Sequence, residues 1–296
     1  MPFYETRDRV RIYYEDHGGS GAPVLFVHGL TANHRHFKYQ VKALKGSPRV
    51  ITVDLRGHGA SETPDHGLHL SALAGDLKEL IDYRGVSPVS LVGWSLGAHV
   101  IFEFISQFGD NDINKMVIID MAPRLMKTGD TSDAAPWAFG LRGFSGKFGD
   151  FGHEDNTKMM AAILETDWRD FSRNLVERLQ DRDLVKNGRF DYEADFKGKT
   201  DMEWLYDQAL RNRSSAIAAL WASMIVRDYR RLLENIRVPV LITFGEGSNY
   251  YPAENSRYLH DRLAHSRLVS FPGCGHAPHI QDPERFNRIL DDFLME

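Results

Sequence analysis

The chain has 296 residues, 42% of them hydrophobic and 26% charged, with a formal net charge of −5. That balance excludes a disordered chain, and the length suits one α/β core with an inserted subdomain. The negative charge, without any basic stripe, argues against a nucleic-acid partner, and the single cysteine, Cys274, excludes an intramolecular disulfide.

The first residues lack an apolar signal core, and no run approaches the ~20 apolar residues that span a bilayer. A cytoplasmic location without membrane insertion is therefore expected. Val10, Ile12 and Tyr14 then alternate with Arg11, Tyr13 and Glu15, the period of a strand. The turn signal His17-Gly18-Gly19-Ser20-Gly21 and the apolar run Val24–Val27 follow, which predicts a hairpin. Further short apolar runs recur at Val50–Val53, Val89–Val92, Met116–Ile119, Val240–Thr243 and Leu268–Phe271. Such runs suit parallel strands covered on both faces. Helical spacing lies between several of them: Leu70 to Tyr83, a segment starting just after Ser95, and Pro283 to Phe293. The alternation predicts an α/β fold, a mostly parallel central sheet with helices on both faces.

Between Pro123 and Arg237 the alternation stops. A Gly-rich stretch, Thr128 to Gly152, precedes helical patterns at Glu154–Glu165, Trp168–Gln180, Met202–Arg211 and Ser215–Arg227. Thr200-Asp201-Met202-Glu203 has the spacing of a capping box. The expected organisation is a core of residues 1–122 and 238–296, with residues 123–237 inserted as a helical cap.

The chemistry is concentrated at Gly93-Trp94-Ser95-Leu96-Gly97, where an apolar strand meets a helical pattern. A sharp strand-to-helix turn projects a serine hydroxyl above the sheet, and the flanking glycines leave room where a Cβ would clash. The helix start behind it offers free N–H groups to a developing oxyanion, that of Leu96 first. Serine is a weak nucleophile at neutral pH and needs a base. His276, in the loop after the last apolar run, is the candidate. His279 lies three residues on, but no third ligand follows at recognisable spacing, which argues against a metal centre. His34 and His36 are expected to be solvated loop residues, and Cys274 a packed, inert thiol.

With these motifs the chain resembles the α/β-hydrolase superfamily. The likeness also rests on His28-Gly29-Leu30, on Asp54-Leu55-Arg56-Gly57-His58-Gly59-Ala60-Ser61 and on Gly275-His276. It implies that the Leu30 N–H is the second oxyanion donor, that His28 shapes its loop, and that the Asp54–Ser61 segment is structural. In most relatives the triad acid follows the strand after the cap, in a pattern like Gly-x-x-Asp. Here that loop reads Gly245-Glu246-Gly247-Ser248, so a hydroxyl stands in the acid's place. Haloalkane dehalogenases and some lactonases carry their acid one strand earlier, where this chain has Asp120. Asp120 is the expected acid and Glu246 the alternative.

The resemblance implies a serine hydrolase that cleaves a carboxylic ester, lactone or thioester through an acyl-enzyme on Ser95, without metal or organic cofactor. Met and aromatic residues in the insertion favour a small to medium apolar substrate. Trp94, Met121, Trp137 and Trp221 are the pocket candidates. A C–C bond hydrolase and a ligand-sensing protein on the same fold are the alternative readings. The expected partner is a small molecule, with a homodimer left open.

Overall fold

Val, Ile and Leu runs without polar alternation need cover on both faces, and the chain supplies it by crossing over after nearly every strand. The computed structural model describes residues 2–46, 48–126, 151–179 and 201–296. Its strands are β1 (Phe3–Glu5), β2 (Arg11–Asp16), β3 (Gly21–Val27), β4 (Pro48–Val53), β5 (Val89–Trp94), β6 (Ile113–Ile119), β7 (Val240–Gly245) and β8 (Ser266–Phe271). They form one sheet in the order β1-β2-β4-β3-β5-β6-β7-β8. The pairs β1/β2 and β2/β4 are antiparallel, and all others are parallel.

The expected hairpin does not form. β2 pairs with β4, and β3 lies beyond β4. The reason lies in burial. Val24 to Val27 are buried on both faces and take a parallel neighbour on each side, whereas β2 buries only alternate residues. The glycine segment is not a tight turn. His17 donates to the Val50 carbonyl and Val50 to the Gly18 carbonyl, so the chain runs beside β4 before crossing it. Gly19, at φ 121°, approaches β4 so closely that a Cβ would meet the Pro48 carbonyl oxygen at 1.9 Å.

The helices are α1 (Lys38–Ala43), α2 (Leu70–Arg84), α3 (Leu96–Phe108), α4 (His153–Glu165), α5 (Trp168–Leu179), α6 (Asp201–Ala209), α7 (Ser214–Ile225), α8 (Ala253–Arg262), α9 (Pro278–Gln281) and α10 (Pro283–Met295). Strand alternation sorts the core. Leu25 and Val27 pack with Leu77 and Leu80 of α2 and Phe104 of α3 on one face. Val24 and Phe26 pack with Phe286, Leu290 and Phe293 of α10 on the other. Each such fully buried side chain contributes about 1.5–3 kcal/mol relative to exposure.

Between β6 and β7 the described residues form α4 to α7. This segment leaves and rejoins the sheet at one place: Arg124 and Asp228 form an antiparallel bridge, and the Tyr229 N–H donates to the Pro123 carbonyl. Most of the Gly-rich stretch, with Trp137, and the Thr200 end of the expected capping box lie outside the described residues. Among the described residues no helix is long and apolar enough to cross a membrane.

Candidate active site

Parallel strands that end on one edge bring the ends of β5, β6 and β7 together. At the end of β5 the chain turns into α3 with Ser95 at φ 52°, ψ −117°, a left-handed backbone that a serine adopts only under constraint. The glycines supply that constraint. A Cβ on Gly93 would lie 2.6 Å from the Ala98 nitrogen, and one on Gly97 2.0 Å from the Val27 carbonyl oxygen. The Ser95 N–H is tied to the Ile119 carbonyl at the end of β6. From Val89 to Ile105 every residue is buried except Ser95. An apolar strand and an apolar helix thus leave one hydroxyl within reach of solvent.

The first N–H groups of α3 have no partner within the helix, and the Leu96 N–H is the first of them. Facing the elbow is the loop after β3. Gly29 lies so close that a Cβ on it would sit 3.1 Å from the Trp94 ring and 3.3 Å from the Ser95 Cβ. Leu30 follows within a turn closed by the Ala32 N–H on the Gly29 carbonyl. His28 fixes the root of this loop. Its Nε2 accepts from the Leu55 N–H at 3.0 Å, and its Nδ1 donates to the Gly29 carbonyl at 2.8 Å. Burial lowers it to about 3, so it stays neutral and keeps that tautomer.

His276 hangs from the loop after β8. Its Nδ1 donates to Asp120 Oδ2 at 2.6 Å, and its carbonyl accepts from the Trp94 indole at 2.8 Å. With Nδ1 taken, Nε2 is the nitrogen left for a reacting proton. Tyr250 and Tyr251 lie against the imidazole, with ring centres 4.7 Å and 5.5 Å away. Of the two, Tyr251 is the more deeply buried, at 5% exposure. Burial, then the charge on Asp120, push its phenol well above the ordinary value, and it remains protonated.

Asp120 follows β6 directly, at φ 44° and 1% exposure. Its N–H donates to the Thr243 carbonyl of β7. Its Oδ2 accepts a second bond, from Ser248 Oγ at 2.7 Å. Ser248 therefore stands where an acid was expected and serves the acid one strand over. It also accepts from the Tyr251 N–H at 3.3 Å, which folds the two tyrosines back over the imidazole. Glu246 points elsewhere: it is exposed and accepts from Ser270 Oγ at 2.8 Å.

Of the other predicted residues, Trp94 stays beside His276, with ring centres 5.6 Å apart. Trp94 is buried beneath the elbow, its ring centre 4.9 Å from that of His279. Met121 is 1% exposed in the core. Trp221, on α7, donates to Asn156 Oδ1 of α4 at 2.8 Å and meets Phe151 edge-on. Trp137 is outside the described residues. Cys274 is buried, and burial pushes its thiol up to about 11. Among the described residues no group of three or more His, Cys, Asp or Glu side chains could hold a metal ion.

His34 and His36 are not solvated. Burial opposes charge on His34, but hydrogen bonds to Asp54, at 2.7 Å, and to Glu15 outweigh it and raise it to about 9. His36 is 4% exposed between Trp94 and Trp204, with ring centres at 5.7 Å and 5.1 Å, and burial lowers it to about 4. Polar neighbours in sequence had suggested an open loop. Asp54 and the insertion, both distant in sequence, enclose it. Ser248, Tyr250 and Tyr251 were likewise unassigned by sequence reasoning, and only the missing Gly-x-x-Asp acid marked their loop.

A serine on a strained strand–helix turn and a histidine–carboxylate pair, both at the C-terminal edge of a doubly wound sheet, place the molecule in the hydrolase class of α/β proteins. A family model described as "Alpha/beta hydrolase family" matches residues 24–289, and the chain belongs to that family. It is 33% identical over 302 residues to a non-heme chloroperoxidase from Kitasatospora aureofaciens, with 99% of each chain covered. A pimeloyl-[acyl-carrier protein] methyl ester esterase from Nitrosomonas europaea is 28% identical over 276 residues, 92% of this chain and 96% of the relative. An esterase from Exiguobacterium antarcticum superposes with a TM-score of 0.82 over 99% of both chains at 23% identity, a likeness of fold.

Proposed function

We propose that the protein is a serine hydrolase acting on carboxylic esters or lactones of small to medium apolar acyl groups. The observation that carries this reading is the 2.6 Å bond from His276 Nδ1 to a buried Asp120, with a strained, accessible Ser95 across the same edge. Ser95 Oγ attacks the carbonyl carbon as His276 Nε2 takes its proton. The Leu30 and Leu96 N–H groups hold the oxyanion, and Asp120 stabilises the imidazolium. His276 returns the proton to the departing alkoxide. Water, deprotonated by the same imidazole, then attacks the acyl-enzyme and frees the acid. Residues 123–237 act as the cap over this edge, and the relative named an esterase supports the ester as substrate.

The likeness to a named chloroperoxidase favours a second fate for the same acyl-enzyme. Hydrogen peroxide in place of water attacks the acyl carbon, frees Ser95 and yields a peroxy acid.

The test is turnover of p-nitrophenyl esters from acetate to octanoate, beside Ser95→Ala and a vinylogous diketone. Ester hydrolysis lost in the variant is expected. Cleavage of the diketone alone would make the protein a C–C hydrolase, and saturable binding without turnover would make it a ligand sensor.

A further inference from the structure

The loop that carries Leu30 is held from the inserted segment as well as from the sheet. Its turn places Thr31 at φ 65°, a left-handed backbone that a β-branched residue avoids. The Thr31 carbonyl accepts from Asn212 Nδ2 at 2.9 Å, and both residues are 4% exposed. Asn212 follows α6, and the same Nδ2 also reaches the Ala209 carbonyl of that helix at 2.9 Å. The amide is held by its donor end alone: among the described residues Oδ1 is buried without a hydrogen-bond partner. A buried acceptor left unpaired is a cost, and this orientation accepts it to point both N–H groups at carbonyls. Two further ties join the loop to α6. Asn33 Nδ2 donates to Gln208 Oε1 at 2.9 Å, and His36 packs on Trp204.

We propose that Asn212 is the positioning residue of the oxyanion hole: by gripping the Thr31 carbonyl it holds the strained turn that aims the Leu30 N–H at Ser95. The inference rests on the acyl-enzyme reading above. It makes catalytic power depend on the seating of α6, which no residue of the serine–histidine–aspartate set reveals. The Asn212 and Asn33 ties carry no ionisable group, and His36, which burial lowers to about 4, stays neutral above that pH, so the dependence adds no ionisation of its own to the profile between pH 6 and 9.

The experiment compares wild type, Asn212→Ala, Thr31→Gly and the double variant. It reads kcat and KM on p-nitrophenyl butyrate and inhibition by an aliphatic trifluoromethyl ketone, whose serine adduct places an oxyanion in the hole. Asn212→Ala is expected to lower kcat and trifluoromethyl ketone affinity together by about 10–100-fold, with KM and the pH midpoint unchanged. Glycine needs no grip at φ 65°, so adding Thr31→Gly is expected to recover most of the loss. A variant with wild-type kcat per titrated active site and unchanged ketone affinity overturns the proposal. So does a loss that Thr31→Gly leaves untouched. Fluorophosphonate labelling separates the two levels: a wild-type protein that resists labelling at Ser95 sinks the acyl-enzyme reading, whereas labelling with an indifferent Asn212→Ala sinks only this one.

Discussion

Replacing Asp120 by Asn tests the acid directly, because the site leaves the amide no good arrangement. One carboxylate oxygen accepts from both His276 Nδ1, at 2.6 Å, and Ser248 Oγ, at 2.7 Å. If the asparagine presents its oxygen to the imidazole, geometry survives but the imidazolium formed during attack has no counter-charge. If it presents its NH₂, Nδ1 must accept, and the ring proton moves to Nε2, where the base is needed. For charges about 4 Å apart at an effective dielectric of about 20, the lost attraction is ~4 kcal/mol. At about 1.4 kcal/mol per decade that is ~10³ in rate. At 1% exposure, solvent has little access to replace the charge. Steady-state hydrolysis of p-nitrophenyl butyrate at pH 8 should therefore show kcat for Asp120→Asn reduced ~10³-fold or more, with KM little changed. Glu246→Gln, at an exposed side chain, should stay within about twofold. An Asp120→Asn enzyme within tenfold of wild type, or a Glu246→Gln enzyme that loses its activity, would mean that Asp120 is not the acid.

Because Ser248 lies one hydrogen bond from the imidazole's acceptor, Asp120→Asn combined with Ser248→Asp should regain about tenfold in kcat over Asp120→Asn alone, measured in the same assay. Gly97→Ala places a Cβ 2.0 Å from the Val27 carbonyl oxygen, so the elbow must shift. A fall of several degrees in Tm and ~10² in kcat/KM is expected, read by thermal melts and ester turnover. His34 has a folded-state value of about 9, above its unfolded value near ~6.5. Its charge therefore stabilises the fold fully below about pH 6.5, and that contribution disappears as pH rises through 9. The Tm difference between wild type and His34→Gln should be largest near pH 6 and shrink above pH 9, and a difference that grows with pH would contradict this.

Local chemistry made the elbow readable. Gly93, Ser95 and Gly97 have few other reasons to interrupt an apolar strand–helix junction, and the structure shows a backbone that needs both glycines. The strands were legible as apolar runs, but their lateral order was not. Whether β2 pairs with β3 or β4 is decided by burial across the sheet, which spacing along the chain does not encode. The same limit hid the environments of His34 and His36, which are set by Asp54 and by Trp204 of α6. Ser248 was legible only as a gap in a familiar pattern, and its bond to Asp120 required the ends of β6 and β7 side by side.

In the proposed cycle Ser95 becomes acylated. Acid quenching within the first turnover of a p-nitrophenyl ester, followed by peptide mass spectrometry, tests it most directly. The expected result is the acyl mass on the peptide carrying Ser95, formed with a burst of p-nitrophenol and absent from Ser95→Ala. Steady ester turnover with that peptide unmodified at every quench time, and undiminished in Ser95→Ala, would contradict it.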